Sequence, residues 1–252
     1  MTVALQRDQR VDLVISRFDP AAGAELQSAR YSVPTVTGWS VLDALNFVKD
    51  ELDGTLSYRW SCRMGICGSC GMMIDGEPRL ACSTFLRDHG EEVRIGPLAN
   101  FPVVRDLVVE FDRFLEQLGR VKPWIIRAKE RASEQGTFRQ SPAEQLAFEQ
   151  FSHCINCMLC YAACPVVARE PQFLGPAAIA IGRRYDLDSR DQGSRERRRV
   201  FLEEGGVFSC SYANECSVVC PKNVDPAAAI QQEKLASIVE WARSLVMSPR
   251  EG

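Results

Sequence analysis

Two fold classes follow one another along this chain: a small α+β domain, then an all-α one. Three observations predict that order. Residues 11–18 (Val-Asp-Leu-Val-Ile-Ser-Arg-Phe) are rich in β-branched and aromatic types and read as a strand. Asp75-Gly76, between Met72-Met73-Ile74 and Arg79-Leu80, is a two-residue hairpin signal. Beyond Asn100-Phe101-Pro102 the strand and turn signals stop, and apolar residues recur at helical spacing. The expected division is residues 1–104 and 105–252.

Each element has a local cause. Ser40 with Asp43 resembles a capping box, and Val41, Leu42, Leu45 and Val48 supply a helical face ending near Gly54. Val104, Leu107, Val108, Phe111, Leu115 and Leu118 predict a helix that Gly119 stops. Ser141-Pro142-Ala143-Glu144 is a capping box with proline at the first helical position. Asp225-Pro226 opens a further helix with Ile230, Leu235, Ile238, Val239 and Leu245 as its apolar positions.

Composition excludes several functions. Of 252 residues 46% are hydrophobic and 25% charged, an ordinary globular balance. Thirty basic against 33 acidic residues leave a net charge of −3, so no global basic field exists for nucleic acid. The uncharged run from Cys154 to Ala168 is too short for a membrane span and contains Asn156 and Pro165. Met1–Arg10 is polar and lacks the apolar stretch of a secretory signal, so a cytoplasmic chain is expected, reaching a membrane only through a partner.

The eleven cysteines carry the chemistry. Disulfides do not persist in a reducing compartment, so clustered thiols there are metal ligands or redox centres. Cys62-x4-Cys67-x2-Cys70, with Cys82 eleven residues on, is the plant-type spacing for a 2Fe–2S cluster. Gly65, Gly68 and Gly71 permit the tight dihedrals that turn backbone N–H groups toward anionic sulfur, and Arg63 is placed to offset cluster charge. Zinc prefers paired short knuckles, which this spacing does not offer.

Cys154-x2-Cys157-x2-Cys160-x3-Cys164-Pro165 is the bacterial ferredoxin run. The frame returns as Cys210-x2-Ala213-x2-Cys216-x3-Cys220-Pro221, with alanine at the second position. In two-cluster ferredoxins the fourth cysteine of each run serves the other cluster. Cys154, Cys157, Cys160 and Cys220 then hold a 4Fe–4S cluster, and Cys164, Cys210 and Cys216 hold a 3Fe–4S cluster lacking one corner iron. Glu215 and Asn214 are oxygen donors nearby, but neither occupies the vacant position. His89 and His153 lie outside every cysteine frame, which excludes a Rieske centre and leaves them structural or solvent-facing. There is no nucleophile motif, no hydrolase histidine pair and no nucleotide loop, so the chain has no catalytic residues of its own.

This combination resembles the iron–sulfur subunits of succinate dehydrogenase and fumarate reductase over roughly residues 10 to 240. The likeness extends through Arg59-Trp60-Ser61-Cys62-Arg63-Met64-Gly65-Ile66-Cys67-Gly68-Ser69-Cys70-Gly71 and through residues 220–232. Ser211 and Arg169 stand where the succinate dehydrogenase branch has histidine and tryptophan, which favours the fumarate reductase branch. The resemblance implies a β-grasp 2Fe–2S domain docked on a flavoprotein with FAD, where fumarate and succinate interconvert. It implies an α-helical domain seated on a transmembrane anchor that holds menaquinone or ubiquinone, at the cytoplasmic face of the inner (plasma) membrane. Gln231 and Lys234 fall on the family's quinone contacts. A soluble carrier, a thiol-linked or heterodisulfide-type reductase subunit and a zinc-stapled module remain as other readings of the cysteines. The run Arg195, Arg197, Arg198 and Arg199 is read as a solvated helix face, and Trp39, Trp60, Trp124 and Trp241 as core or subunit-interface residues.

Overall fold

Val11, Leu13 and Ile15 fall on every second position, and that period buries one face of β1 (Arg10–Arg17). The computed structural model describes residues 10–21, 23, 25–128 and 133–246, without the side chains of 133, 240, 241 and 243–246. Its residues divide into two compact units: those up to Asp112 with Ile155–Ala163, and Arg113–Cys154 with those from Cys164 onward.

In the first unit β1 pairs antiparallel with β2 (Gln27–Pro34), Leu13 opposite Tyr31. The second strand has only Val33 fully buried, because it forms the edge of the sheet, and so it lacks the alternating pattern that betrays β1. The helix α1 (Val41–Phe47) begins at the expected capping box: Asp43 N donates to Ser40 Oγ at 3.3 Å, and Ser40 N donates to Asp43 Oδ2 at 3.0 Å. A wider turn, Val48–Leu52, continues it to Asp53. The hairpin β3 (Gly71–Ile74) and β4 (Glu77–Leu80) turns at Asp75-Gly76, as the sequence predicts. The short β5 (Glu92–Gly96) runs parallel to β1 and antiparallel to β3, giving the order β2-β1-β5-β3-β4. This mixed sheet with its early helix is the β-grasp arrangement.

The helix expected from Val104 to Leu118 is only partly present. Val103–Arg105 (β6) and Val108–Val109 (β7) form a small hairpin, and α2 starts at Asp112 and ends at Arg120, running through Gly119. Polar anchoring overrides the helical spacing. Asp106 sits at the turn with φ 47° and is 2% exposed. Its carboxylate accepts from Arg17 Nε at 2.9 Å, Phe18 N at 3.0 Å and Ser57 N at 2.8 Å. The first unit therefore includes this hairpin, which is bonded into it, and runs on to Asp112.

The second unit is helical: α3 (Pro142–Ser152), α5 (Pro165–Arg169), α6 (Pro176–Asp186), α7 (Ser194–Leu202), α8 (Glu215–Val218) and α9 (Pro226–Val246), with α4 (Leu159–Ala162) belonging to the first unit. The expected cap of α3 forms, Glu144 N donating to Ser141 Oγ at 3.3 Å. Phe151, Ala180, Val224 and Ala229 pack as one core of α3, α6 and α9.

The basic run is not a solvated face throughout. Arg197 is 0% exposed and bonds Asp191 Oδ1 at 2.7 Å, Asp186 Oδ1 at 3.1 Å and the Trp124 carbonyl at 2.8 Å. Five N–H donors in a fixed fork let one arginine tie a connecting loop to two helices. Trp60 and Trp124 are exposed and Trp39 half-buried, so none of the three is a core residue; the Trp241 and Leu245 side chains lie outside the described residues.

Removing a buried charge partner leaves donors stranded. Asp106→Ala should lower stability by about 3 kcal/mol, and Asp106→Asn, which retains one acceptor, by less. The denaturant midpoint of the cluster-loaded protein checks this.

Candidate iron–sulfur sites

The first cysteine loop is built around its sulfurs. Met64 N, Ile66 N and Cys67 N approach Cys62 Sγ at 3.5, 3.4 and 3.2 Å. Gly65 N donates to Cys82 Sγ at 3.3 Å and Cys62 N to Cys67 Sγ at 3.4 Å. Arg63 (φ 60°), Gly65 (φ 68°) and Gly68 (φ 74°) adopt the left-handed conformations that turn these amides inward. N–H groups from Cys62 and Ser69, with the Ser69 hydroxyl, hold the Cys67 thiol down to about 6. Burial pushes Cys70 up to about 12. A buried thiolate is costly until a cation neutralises it, so this donor set suits bound iron.

The Arg63 guanidinium donates to Asp43 Oδ1 at 2.6 Å and stands over the Trp60 ring at 5.5 Å. It braces the loop against the start of α1.

The second and third runs share one backbone. Asn156 (φ 54°) and Met158 (φ 64°) flank Cys157, and Tyr212 (φ 61°) and Asn214 (φ 66°) flank Ala213. Each run then forms one short helix, α4 or α8, before its Cys-Pro pair. Ala213 thus occupies the structural place of Cys157. In the second unit Cys164, Cys210, Ala213 and Cys216 line one small pocket together with Pro165, Phe173 and Ile230. Burial raises Cys164, and burial with the neighbouring Cys164 and Cys210 thiols pushes Cys216 up to about 12. Three thiols and a methyl face one space.

Cys157 and Cys160 are buried in the first unit. Cys154 and Cys220 pack on the Phe151–Val224 core of the second. Among the described residues no three His, Cys, Asp or Glu side chains converge on a single ion; a cluster's thiolates are divided among its irons instead. His89 Nδ1 pairs with Asp75 Oδ2 at 2.5 Å, and His153 is exposed at the C-terminal end of α3.

Supporting residues escaped the sequence reading. Asn100 donates from Nδ2 to the Tyr161 and Ala162 carbonyls at 2.8 and 3.1 Å, holding the α4 turn. Ser217 Oγ donates to Asp225 Oδ1 at 2.6 Å, and Asp225 Oδ1 accepts from Ala228 N at 2.9 Å, tying α8 to the start of α9. Only the Asp225-Pro226 signal pointed toward either. Lys234 Nζ donates to the Cys210 carbonyl at 2.8 Å, while the Gln231 Nε2 is buried without a partner.

Comparison with known proteins decides between the readings the cysteines left open. A family described as "2Fe-2S iron-sulfur cluster binding domain" matches residues 12–116, and one described as "4Fe-4S dicluster domain" matches residues 150–224. The chain is 54% identical to a fumarate reductase iron–sulfur subunit of Mycobacterium tuberculosis, covering 94% of this chain and 96% of that protein. The chain belongs to this family of iron–sulfur subunits. It is 34% identical to the succinate dehydrogenase iron–sulfur subunit of Coxiella burnetii, over 90% of this chain and 96% of that one. It also resembles a chain of the Mycobacterium smegmatis Sdh1 complex in the apo form, with a TM-score of 0.84 at 28% identity, covering 92% of this chain and 97% of that chain. As a family member it is the electron-transfer subunit of an oxidoreductase complex. Among the described residues no helix is long and apolar enough to cross a membrane.

Arg63→Gln breaks a half-exposed ion pair and should cost no more than about 1 kcal/mol. By removing a positive charge from the loop and leaving Asp43 unneutralised, it should lower the 2Fe–2S potential in an EPR-monitored redox titration.

Proposed function

We propose that the chain conducts electrons between a membrane quinone and the FAD of a partner flavoprotein, in a complex of the fumarate reductase type that interconverts fumarate and succinate. The observation that carries this is Ala213 at the fourth position of a cavity with three thiols. A site that offers three thiolates where its sister run offers four suits a 3Fe–4S centre. In this reading Cys62, Cys67, Cys70 and Cys82 hold the 2Fe–2S cluster. Cys154, Cys157, Cys160 and Cys220 hold the 4Fe–4S cluster, and Cys164, Cys210 and Cys216 hold the 3Fe–4S cluster. When bound, such clusters take up and release single electrons, which lets a two-electron substrate meet a two-electron quinone in separate steps.

The protein's own part is to hold, shield and expose. Pro165, Phe173 and Ile230 give the three-thiol cavity an apolar wall, and the Lys234 ammonium adds positive charge beside Cys210. The orphaned Gln231 amide is a donor awaiting an acceptor, which suits a quinone carbonyl. Leu235, Ile238 and Val239 share one exposed face of α9, and Phe208, Tyr212 and Val218 are exposed around the third run. Apolar side chains left in water at that end suit burial against an anchor subunit. Trp60, Met64 and Ile66 are likewise exposed around the first loop and suit the flavoprotein. The location proposed is the cytoplasmic face of the plasma membrane, held through the anchor.

Two outcomes test this reading. The loaded chain should contain nine irons, one cluster of each kind, and show an oxidised 3Fe–4S EPR signal without reductant. Ala213→Cys should add a fourth iron at that centre, abolish the signal, lower its potential and slow quinone turnover; ten irons in the unmodified chain would refute the assignment. Expressed without an anchor subunit, the chain should not sediment with membranes, and stable binding by the chain alone would refute the docking role.

A further inference from the structure

The loop bearing Cys67 and Cys70 lies against the segment bearing Cys157, both within the first unit, and two glycines make the contact. A Cβ on Gly68 would stand 2.9 Å from the Cys157 Cβ and the Ile155 carbonyl oxygen, and 3.0 Å from the Cys157 Cα. A Cβ on Gly71 would stand 3.0 Å from the Cys157 carbonyl oxygen and 3.2 Å from Leu159 Cδ2. A Cβ at Gly68 therefore forces the two segments to shift, and at Gly71 the neighbour must give by a few tenths of an ångström. Dihedral freedom explains only part of this. Gly68 has φ 74°, but Gly71 is a strand residue at the start of β3 outside the left-handed region. At Gly71 the close neighbour, and not the backbone angle, favours glycine.

We infer that Gly68 and Gly71 are positioning residues that set the gap between the 2Fe–2S and 4Fe–4S centres. The inference rests on the cysteine assignment proposed above. Each crossing moves one electron, lost by one centre and gained by the other, with no bond or proton exchanged. Electron tunnelling falls off exponentially with separation, and a gap between non-bonded atoms attenuates it more than the same length of covalent bonds. With Gly68 directly after Cys67 and laid on Cys157, two ligand residues are separated by one backbone unit and one van der Waals contact. A methyl group there would widen the one part of the path that is not covalent.

Three variants of the assembled complex separate contact from dihedral strain. Gly71→Ala adds the contact alone, and Gly68→Ala adds contact and strain. Gly65→Ala adds strain alone, since a Cβ there meets nothing within 4 Å at φ 68°. The readout is the magnetic coupling between the two reduced centres, seen in the power saturation of the 2Fe–2S EPR signal, with the rate of electron transfer between them. Weaker coupling and severalfold slower transfer are expected in Gly71→Ala and Gly68→Ala, whereas Gly65→Ala should alter the 2Fe–2S signal and leave the coupling intact. Unchanged coupling and rate in Gly71→Ala, with all three cluster signals present, would overturn the inference. If Gly68→Ala fails to load its cluster, Gly71→Ala still decides. Absence of three distinct signals in the unmodified complex would refute the cysteine assignment, and this inference with it.

Discussion

Thiolates are anions, and holding several together requires that N–H dipoles be turned toward them before iron arrives. That requirement governs the local backbone of this chain. Left-handed residues recur wherever cysteines gather: Arg63, Gly65 and Gly68 in the first loop, Asn156 and Met158 in the second, Tyr212 and Asn214 in the third. Each inverts the path of the chain for one residue and re-aims an amide. Arg63, Met158 and Tyr212 have no intrinsic preference for that conformation, so the surrounding structure must impose it.

Loops of that kind need rigid supports, and the supports are polar as often as apolar. Asp106 gathers Arg17, Phe18 and Ser57 around one carboxylate, and Arg197 gathers Asp186, Asp191 and loop carbonyls around one guanidinium. Asn100 and Asp225 brace the turns next to the second and third runs. Buried charges of this kind contribute little net stability when paired, but they impose one geometry because an unpaired alternative is costly. A cluster-binding loop benefits from uniqueness more than from raw stability.

The cysteine frames, the two capping boxes, the Asp75-Gly76 hairpin and the helix after Asp225-Pro226 were legible from residue order alone. Their causes are local: ligand spacing along the chain, a side chain reaching its own backbone, a turn that needs two particular residues. The gap at Ala213 was legible for the same reason, since a missing thiol is visible without coordinates. The edge strand β2 and the short β5 were not, because their partners lie far along the chain and leave little periodic trace.

Tertiary structure alone decided the remainder. Val104, Leu107 and Val108 carry helical spacing, yet a buried carboxylate at Asp106 holds them as a hairpin. Arg197 reads as one of four surface arginines, yet it is the only one of that run that is fully buried. Leu235, Ile238 and Val239 read as core positions of α9 and are exposed. Gly71 reads as one more loop glycine, yet the atom it lacks is the one that would collide with Cys157. Spacing and capping act within a few residues, whereas burial, charge pairing and close approach depend on what the folded chain brings alongside.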